Sequence, residues 1–262
     1  MAALILEVSS LTMQFGGIRA LDGLDLCVRQ GEIAALIGPN GAGKTTFFNC
    51  VTGICKPTFG QIQLNPPGGK AVRLNGLAPH KVTQAGAART FQNIRLFPEM
   101  TVLENVMIGR HCRTKAGLLG AILRDKRTRQ EEKEIIARSF ALLEIIGLAA
   151  SADELAKHLP YGAQRKLEIA RALATEPLLL LLDEPAAGMN PQETAELDSL
   201  ICAIRDEGIA ILLIEHDMKL VMSLSDHIFV MDYGRKIAEG KPEEVRQNPE
   251  VIRAYLGEQP ES

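Results

Sequence analysis

The sequence contains no tryptophan, and aromatic side chains make up only 4% of its 262 residues. Surfaces that hold single-stranded nucleic acid stack bases on aromatic rings, so a chain this poor in them is ill suited to that work. A surplus of positive charge is missing too: the formal net charge is −3 at pH 7, whereas nucleic-acid-binding domains are usually basic. No nucleic-acid partner is expected. Cysteine is scarce, with Cys27, Cys50, Cys55, Cys112 and Cys202 scattered and no C-x-x-C pair among them. An odd, unpatterned set fits reduced thiols in a cytoplasm. The opening MAALILEVSS lacks a basic n-region and soon turns polar, so it does not read as a signal peptide. Long hydrophobic runs are also lacking. The longest, around 178–182, is far short of the ~20 residues that a spanning helix needs. A soluble chain is expected, one that needs another protein to hold it at a membrane.

What is present is enough apolar material, 46% of residues against 23% charged, for one large core or a core with a satellite lobe. Residues 4–8, 24–28 and 60–64 read as strands, the last two alternating, which suggests a small antiparallel sheet. Residues 31–38 (GEIAALIG), PLLLLLDEP and IAILLIEHD are continuous apolar runs of the kind buried on both faces of a parallel sheet. Helical patterns follow them from Lys44 to near Gly53 and from Pro191 to Gly208. HIFVMDYGRKIAEG reads as a hairpin turning at Tyr233 and Gly234, with short helices after it. Between about Phe97 and Leu155 the pattern is helical: TVLENVMIGR, a segment ending in ILRD, and RTRQEEKEIIARSFALLEII, with Gly147 as C-cap. The fold class expected is α/β: a mostly parallel sheet, a small antiparallel β subdomain and an inserted helical subdomain.

Gly38, Pro39, Asn40, Gly41, Ala42, Gly43, Lys44 and Thr45 match G-x-x-x-x-G-K-[ST] in full, between an apolar strand and a helix. The glycines let backbone N–H groups converge on phosphate oxygens, and the helix N-terminus adds its partial positive charge. Lys44 would reach the outer phosphates and Thr45 would bind Mg²⁺. Asp183 and Glu184 end the PLLLLLDEP strand, at the strand edge where open α/β sheets bind ligands. On their own these carboxylates fit a helix cap equally well. With the cradle upstream, Asp183 is placed to hold Mg²⁺ and Glu184 to orient or deprotonate a water. His216 ends the next buried strand and surfaces at the same edge, within reach of a terminal phosphate. Gln92, in RTFQNIRLFPEM, can offer an amide oxygen to Mg²⁺ or to the attacking water, but the residues alone leave its role open.

LPYGAQRKLEIARAL, from Leu159, poses a separate question. It opens a helix with a basic pair, Arg165 and Lys166, in its first turns, where the macrodipole disfavours cations. An anion supplied from outside would resolve the conflict.

The order of cradle, glutamine junction, L-x-x-G-x-Q helix, Asp-Glu strand and His strand resembles the ATP-binding subunits of ABC transporters over nearly the whole chain. The resemblance implies a single ATP-binding domain, with core and antiparallel sheet at about 1–92 and 166–262 and the helical subdomain at about 93–165. It implies that residues 38–46, Thr46 included, bind ATP with Mg²⁺. Phe15 would stack on adenine, although a core aromatic fits that position too. The resemblance makes Gln92 a ligand of Mg²⁺ and a catalytic residue, Asp183 a Mg²⁺ ligand, Glu184 the catalytic base and His216 its switch partner. Residues Tyr161, Gly162 and Gln164 of the signature loop would face the nucleotide of a second subunit, whose γ-phosphate would be the missing anion.

Three positions depart from the family pattern, Tyr161 among them, which stands where the signature loop has its first glycine. Pro160 replaces a serine and offers neither hydroxyl nor N–H, so fewer phosphate bonds are expected. Asn190 replaces an aspartate.

QFGGIRALDGL, LLIEHDMKLVM and NPEVIRAYLGE narrow the resemblance to the LivG/BraF type of bacterial branched-chain amino acid importer. The partners implied are two transmembrane permease subunits, a second ATPase subunit of LivF type or another copy of this chain, and indirectly a periplasmic solute-binding protein. The site of action implied is the cytoplasmic face of the inner membrane. An importer of urea, amides or other amino acids is an alternative, as is a soluble ABC protein of DNA repair or translation. The soluble class usually carries two cassettes, zinc sites or long basic linkers. Here the basic cluster of Arg124, Lys126, Arg127 and Arg129 runs straight into Glu131, Glu132 and Glu134, the pattern of a solvated helix face. A small P-loop kinase or GTPase finds no N-K-x-D motif.

Overall fold

The computed structural model describes residues 2–113 and 126–256. The segment ending in ILRD and the side chains of the basic cluster that starts at Arg124 lie outside the described residues.

Strands β1 (Leu4–Phe15), β2 (Ile18–Arg29), β4 (Phe59–Leu64) and β5 (Val72–Arg73) form an antiparallel sheet in the order β2-β1-β4-β5. The first two run much longer than the alternating pattern suggests. The polar pair Ser9–Ser10 looks like a strand end, but β1 passes through it by a bulge. Ser10 takes a positive φ of 48°, and its N–H donates to Asp25 Oδ1 at 2.7 Å, so the ladder resumes beyond it.

The second sheet has the order β10-β9-β3-β8-β7-β6. Its members are β3 (Ile33–Ile37), β6 (Ala87–Arg89), β7 (Leu179–Asp183), β8 (Ala210–Ile214), β9 (His227–Asp232) and β10 (Arg235–Gly240). All are parallel except β10, which returns from β9 as a hairpin. The turn residues Tyr233 and Gly234 both have positive φ, 42° and 79°, the geometry that matches the twist of a two-residue hairpin. The short β6 and the preceding helix Pro79–Ala85 had no signal of their own: three strand residues are too few to show a period.

Side chains alternate across this sheet. Leu179, Leu181, Leu212 and Ile214 point into a core shared with the antiparallel sheet and with Phe47 and Phe48 of the helix Lys44–Val51. Leu180, Leu182, Ile211 and Leu213 point the other way. They pack on the helices Tyr161–Leu173 and Pro191–Asp206 and on Val102, Val106, Leu143 and Ile146 of the helical segment. That segment, helices Val102–Arg110 and Lys126–Ile145, therefore shares a core with one face of the sheet. A capping box at Thr101 and Glu104 starts its first helix, and a bridge between Thr101 and Leu155 closes its ends. The helix Tyr161–Leu173 runs unbroken through position 165.

The parallel register sets the site. Leu36 of β3 lies beside Ile214 of β8, and Asp183 of β7 lies beside the same Ile214. The residues that follow these strands, Gly38, Glu184 and Glu215–His216, thus emerge side by side at one sheet edge. Among the described residues no helix is long and apolar enough to cross a membrane.

Candidate functional site

Three glycines shape the turn after β3. Gly43, which caps the following helix, has φ 103°, and a Cβ there would lie 2.5 Å from the Ala20 carbonyl oxygen. Only glycine allows that approach with that backbone. The helix starts with no side-chain cap and no acidic residue in its first turn, which leaves its N–H groups for a ligand. A cavity of about 220 Å³ sits over it, lined by Asn40, Lys44, Thr45, Thr46, Glu184 and His216 among others. Lys44 is buried, and its ammonium donates to the carbonyls of Gly38 and Pro39 at 2.6 and 3.0 Å. Burial pushes its pKa down, while the charges of Glu184 and Asp183 push it up.

Gln92, Glu184 and His216 come from three separate segments and meet. Gln92 Nε2 donates to Glu184 Oε2 at 2.7 Å, and His216 Nε2 lies 2.6 Å from Glu184 Oε1. Both oxygens of the carboxylate are thereby oriented. Glu184 itself has a φ of 49°, a conformation that costs a non-glycine residue about 1–3 kcal/mol. Its N–H is held by the Ile214 carbonyl at 2.9 Å.

Phe15 is half exposed at the end of β1 and does not line the cavity. Asp183 is buried and forms an ion pair with Arg89 Nη2 at 2.6 Å. Arg89 also donates to Asn49 Oδ1 at 2.8 Å and lies over the rings of Phe48 and Phe91. Arg89 had no role in the sequence reading, because its strand is too short to recognise. Glu215 was also missed. It is buried, and it accepts the N–H groups of Ala186 and His216 at 2.9 and 3.0 Å, holding the turn that follows Glu184. Burial pushes its carboxyl above the usual range. A charged residue beside His216 at the end of an apolar strand was the available signal.

At the second motif the basic pair finds its anions within the chain. Arg165 is fully buried and bonds Glu168 Oε2 at 3.0 Å and the carbonyls of Phe91 and Gln92 at 2.6 and 2.7 Å. Lys166 pairs with Glu196. These two cations do not wait for an outside anion, contrary to the expectation from the helix macrodipole. The helix N-terminus is a separate matter: Pro160 supplies no side-chain cap, so its first N–H groups remain for other partners. Gln164 Nε2 is turned back to the Leu159 carbonyl at 2.8 Å. The Tyr161 hydroxyl accepts from Arg165 at 3.1 Å. Gly162 packs so closely that an added Cβ would sit 2.5 Å from Glu193 Oε1. Asn190 caps the helix Pro191–Asp206, accepting from the N–H groups of Gln192 and Glu193.

The Thr45 hydroxyl, the Asp183 carboxylate and the Gln92 amide oxygen are hard donors of the kind Mg²⁺ prefers beside phosphate. Among the described residues no group of three or more His, Cys, Asp or Glu could hold a metal by itself.

The chain is similar to known proteins over nearly its whole length. The profile of the ABC transporter family matches residues 21–187, and that of the branched-chain amino acid ATP-binding cassette transporter matches residues 235–261. The chain is 51% identical over 255 residues to the high-affinity branched-chain amino acid transport ATP-binding protein LivG of Salmonella typhimurium, covering 97% of this chain and 98% of that one. It is 49% identical over 255 residues to the corresponding BraF of Pseudomonas aeruginosa, with the same coverage. Among solved structures, a nucleotide-free ATP-binding cassette from an ABC transporter superposes with a TM-score of 0.82 at 33% identity, covering 97% of this chain and 100% of that one.

Proposed function

This chain belongs to the ABC transporter family, and from that premise we propose that it is the ATP-hydrolysing subunit of an importer of branched-chain amino acids. The observation that carries the reading is the meeting of Gln92, Glu184 and His216 beside the Lys44 cradle. The N–H groups of residues 38–46 and the Lys44 ammonium hold the triphosphate. Phe15 offers its half-exposed ring to adenine. Thr45, Asp183 and Gln92 are the residues that hold Mg²⁺, which neutralises charge on the phosphates when bound. Glu184, fixed at both oxygens, accepts a proton from the attacking water, and His216 returns a hydrogen bond to the same carboxylate. Tyr161, Gly162 and Gln164 serve the nucleotide of a second cassette, of LivF type or a further copy of this chain.

Two transmembrane permeases complete the assembly at the cytoplasmic face of the inner membrane, fed by a periplasmic binding protein. A groove of about 810 Å³ beside Gln92, lined by Phe91, Arg95, Phe97, Ile108 and Arg171 among others, suits the permease contact. Phe97 and Ile108 are exposed there. The segment 93–165 is the helical subdomain that moves with it. Nucleotide acts by binding the closed arrangement more tightly than the open one. The cargo follows from the names of the relatives, which transport branched-chain amino acids.

The test is uptake of labelled leucine in cells lacking branched-chain importer ATPases, with this chain supplied alongside the permeases that co-purify with it. Uptake restored by the natural chain and absent with Lys44→Ala is expected. Equal uptake with both, or restored uptake of urea but not leucine, contradicts the proposal.

A further inference from the structure

We propose that Arg165 is a positioning residue, which pins the Gln92 loop to the start of the Tyr161–Leu173 helix and so links the two halves of nucleotide machinery this chain carries. The inference rests on the reading above for what each half does; its geometry stands apart from that reading.

Among the described residues Arg165 leads the fully buried side chains in volume. A buried cation needs a counter-charge, and Glu168 one turn on supplies it. Neutralisation alone would end there. Instead the guanidinium also bonds two consecutive carbonyls, Phe91 through Nη1 at 2.6 Å and Gln92 through Nη2 at 2.7 Å. These carbonyls belong to the two peptide units that flank the Gln92 Cα, so holding both fixes the backbone from which the Gln92 side chain departs. That side chain then donates to Glu184 at 2.7 Å. On its other side Nη2 reaches the Tyr161 hydroxyl at 3.1 Å, and the guanidinium lies 5.8 Å from the Tyr161 ring centre. A continuous series of bonds therefore runs from Tyr161, at the helix start, through Arg165 and Gln92 to Glu184 and His216. Other contacts hold the loop in the same place. Arg95 N–H donates to Glu168 Oε1 at 3.3 Å, and the guanidinium groups of Arg89 and Arg95 lie over the Phe91 ring, 5.0 and 4.0 Å from its centre.

The chemistry requires arginine. Its planar fork presents separate N–H groups to separate acceptors, whereas a lysine ammonium is a single point on a flexible stem. A shift of the helix start, as when Tyr161 meets a neighbouring subunit, must carry the Gln92 carbonyl with it and move the amide that orients Glu184.

The absence of tryptophan allows a clean test. Asn93 is exposed next to Gln92, so Asn93→Trp places a lone fluorophore on the loop. In that background, Arg165→Lys keeps the buried charge and loses the fork. The double variant Arg165→Gln with Glu168→Gln removes both charges, keeps an acceptor for Arg95, and decides the matter if the lysine variant does not fold. Iodide quenching of the tryptophan is expected to rise at least about twofold without nucleotide. Affinity for ATP without Mg²⁺ should stay within about twofold, because the cradle is untouched. Turnover in the assembled complex should fall about tenfold in kcat, more than any change in KM, the scale of a lost charge-assisted bond. Unchanged quenching, or full kcat, overturns the proposal. Failure of the transporter reading would show differently, as leucine uptake indifferent to Lys44→Ala.

Discussion

The cradle after β3 and the start of the Tyr161–Leu173 helix are both built as helix N-termini without a side-chain cap, yet they meet charge in opposite ways. At the cradle Lys44 is folded onto the carbonyls of its own loop, with the pKa lowered by burial, ready to exchange those weak partners for phosphate. At the second helix both cations are already neutralised inside the chain, Arg165 by Glu168 and Lys166 by Glu196. On the proposed reading Lys44 is poised to exchange its partners for an anion, whereas Arg165 and Lys166 are committed to partners within the chain. A basic residue near a helix start is thus informative only once its internal partners are known.

The comparison can be pressed hardest at Glu184. Glu184→Gln keeps the size and the bonding pattern but removes the base, so ATP turnover measured by phosphate release should fall about 10²–10⁴-fold while ATP binding persists. Loss of binding together with turnover would move Glu184 from chemistry to the cradle. Lys44→Ala comes next, with an expected loss of about 10²–10³-fold in turnover from removing a preorganised charge. Sustained phosphate release by that variant would separate Lys44 from the reaction. The third change concerns stability. Arg89→Leu strips the partner from the buried Asp183, which should cost about 3–5 kcal/mol in urea unfolding of the nucleotide-free chain. A loss below about 1 kcal/mol would mean that solvent already screens the pair.

The smallest effect is the pH dependence of binding. Lys44 has a lowered pKa in the free chain because of burial, and phosphate favours its charged form, so binding raises it. Binding then takes up a proton at pH values above the lowered pKa. Affinity should be flat below that value and decline as pH rises through it, by less than about tenfold per unit. Calorimetry in buffers of different ionisation enthalpy reads the proton uptake directly; proton release on binding would reverse the assignment.

These regions also differ in how legible they were. The cradle, the Asp183–Glu184 edge and His216 were readable because each is a local event, a charge or glycine ending an apolar strand, and the parallel register brings such ends together. The mostly parallel sheet and the small antiparallel one followed from the same periodicity. What the residues did not show was pairing across long separations. Arg89 meets Asp183 across 94 positions, and Arg165 meets Gln92 across 73. A pattern of local spacing carries no information about such contacts. The extent of β1 was hidden for another reason: a bulge at Ser10 lets polar residues stay within a strand.

On the proposed reading each copy of the chain holds a cradle for its own nucleotide and a helix start for its neighbour's. A structure of the assembled transporter carrying Glu184→Gln, trapped with MgATP, decides this. Residues 159–164 are predicted to face the terminal phosphate held by the second cassette. If they point into solvent with both nucleotides bound, the claim is wrong.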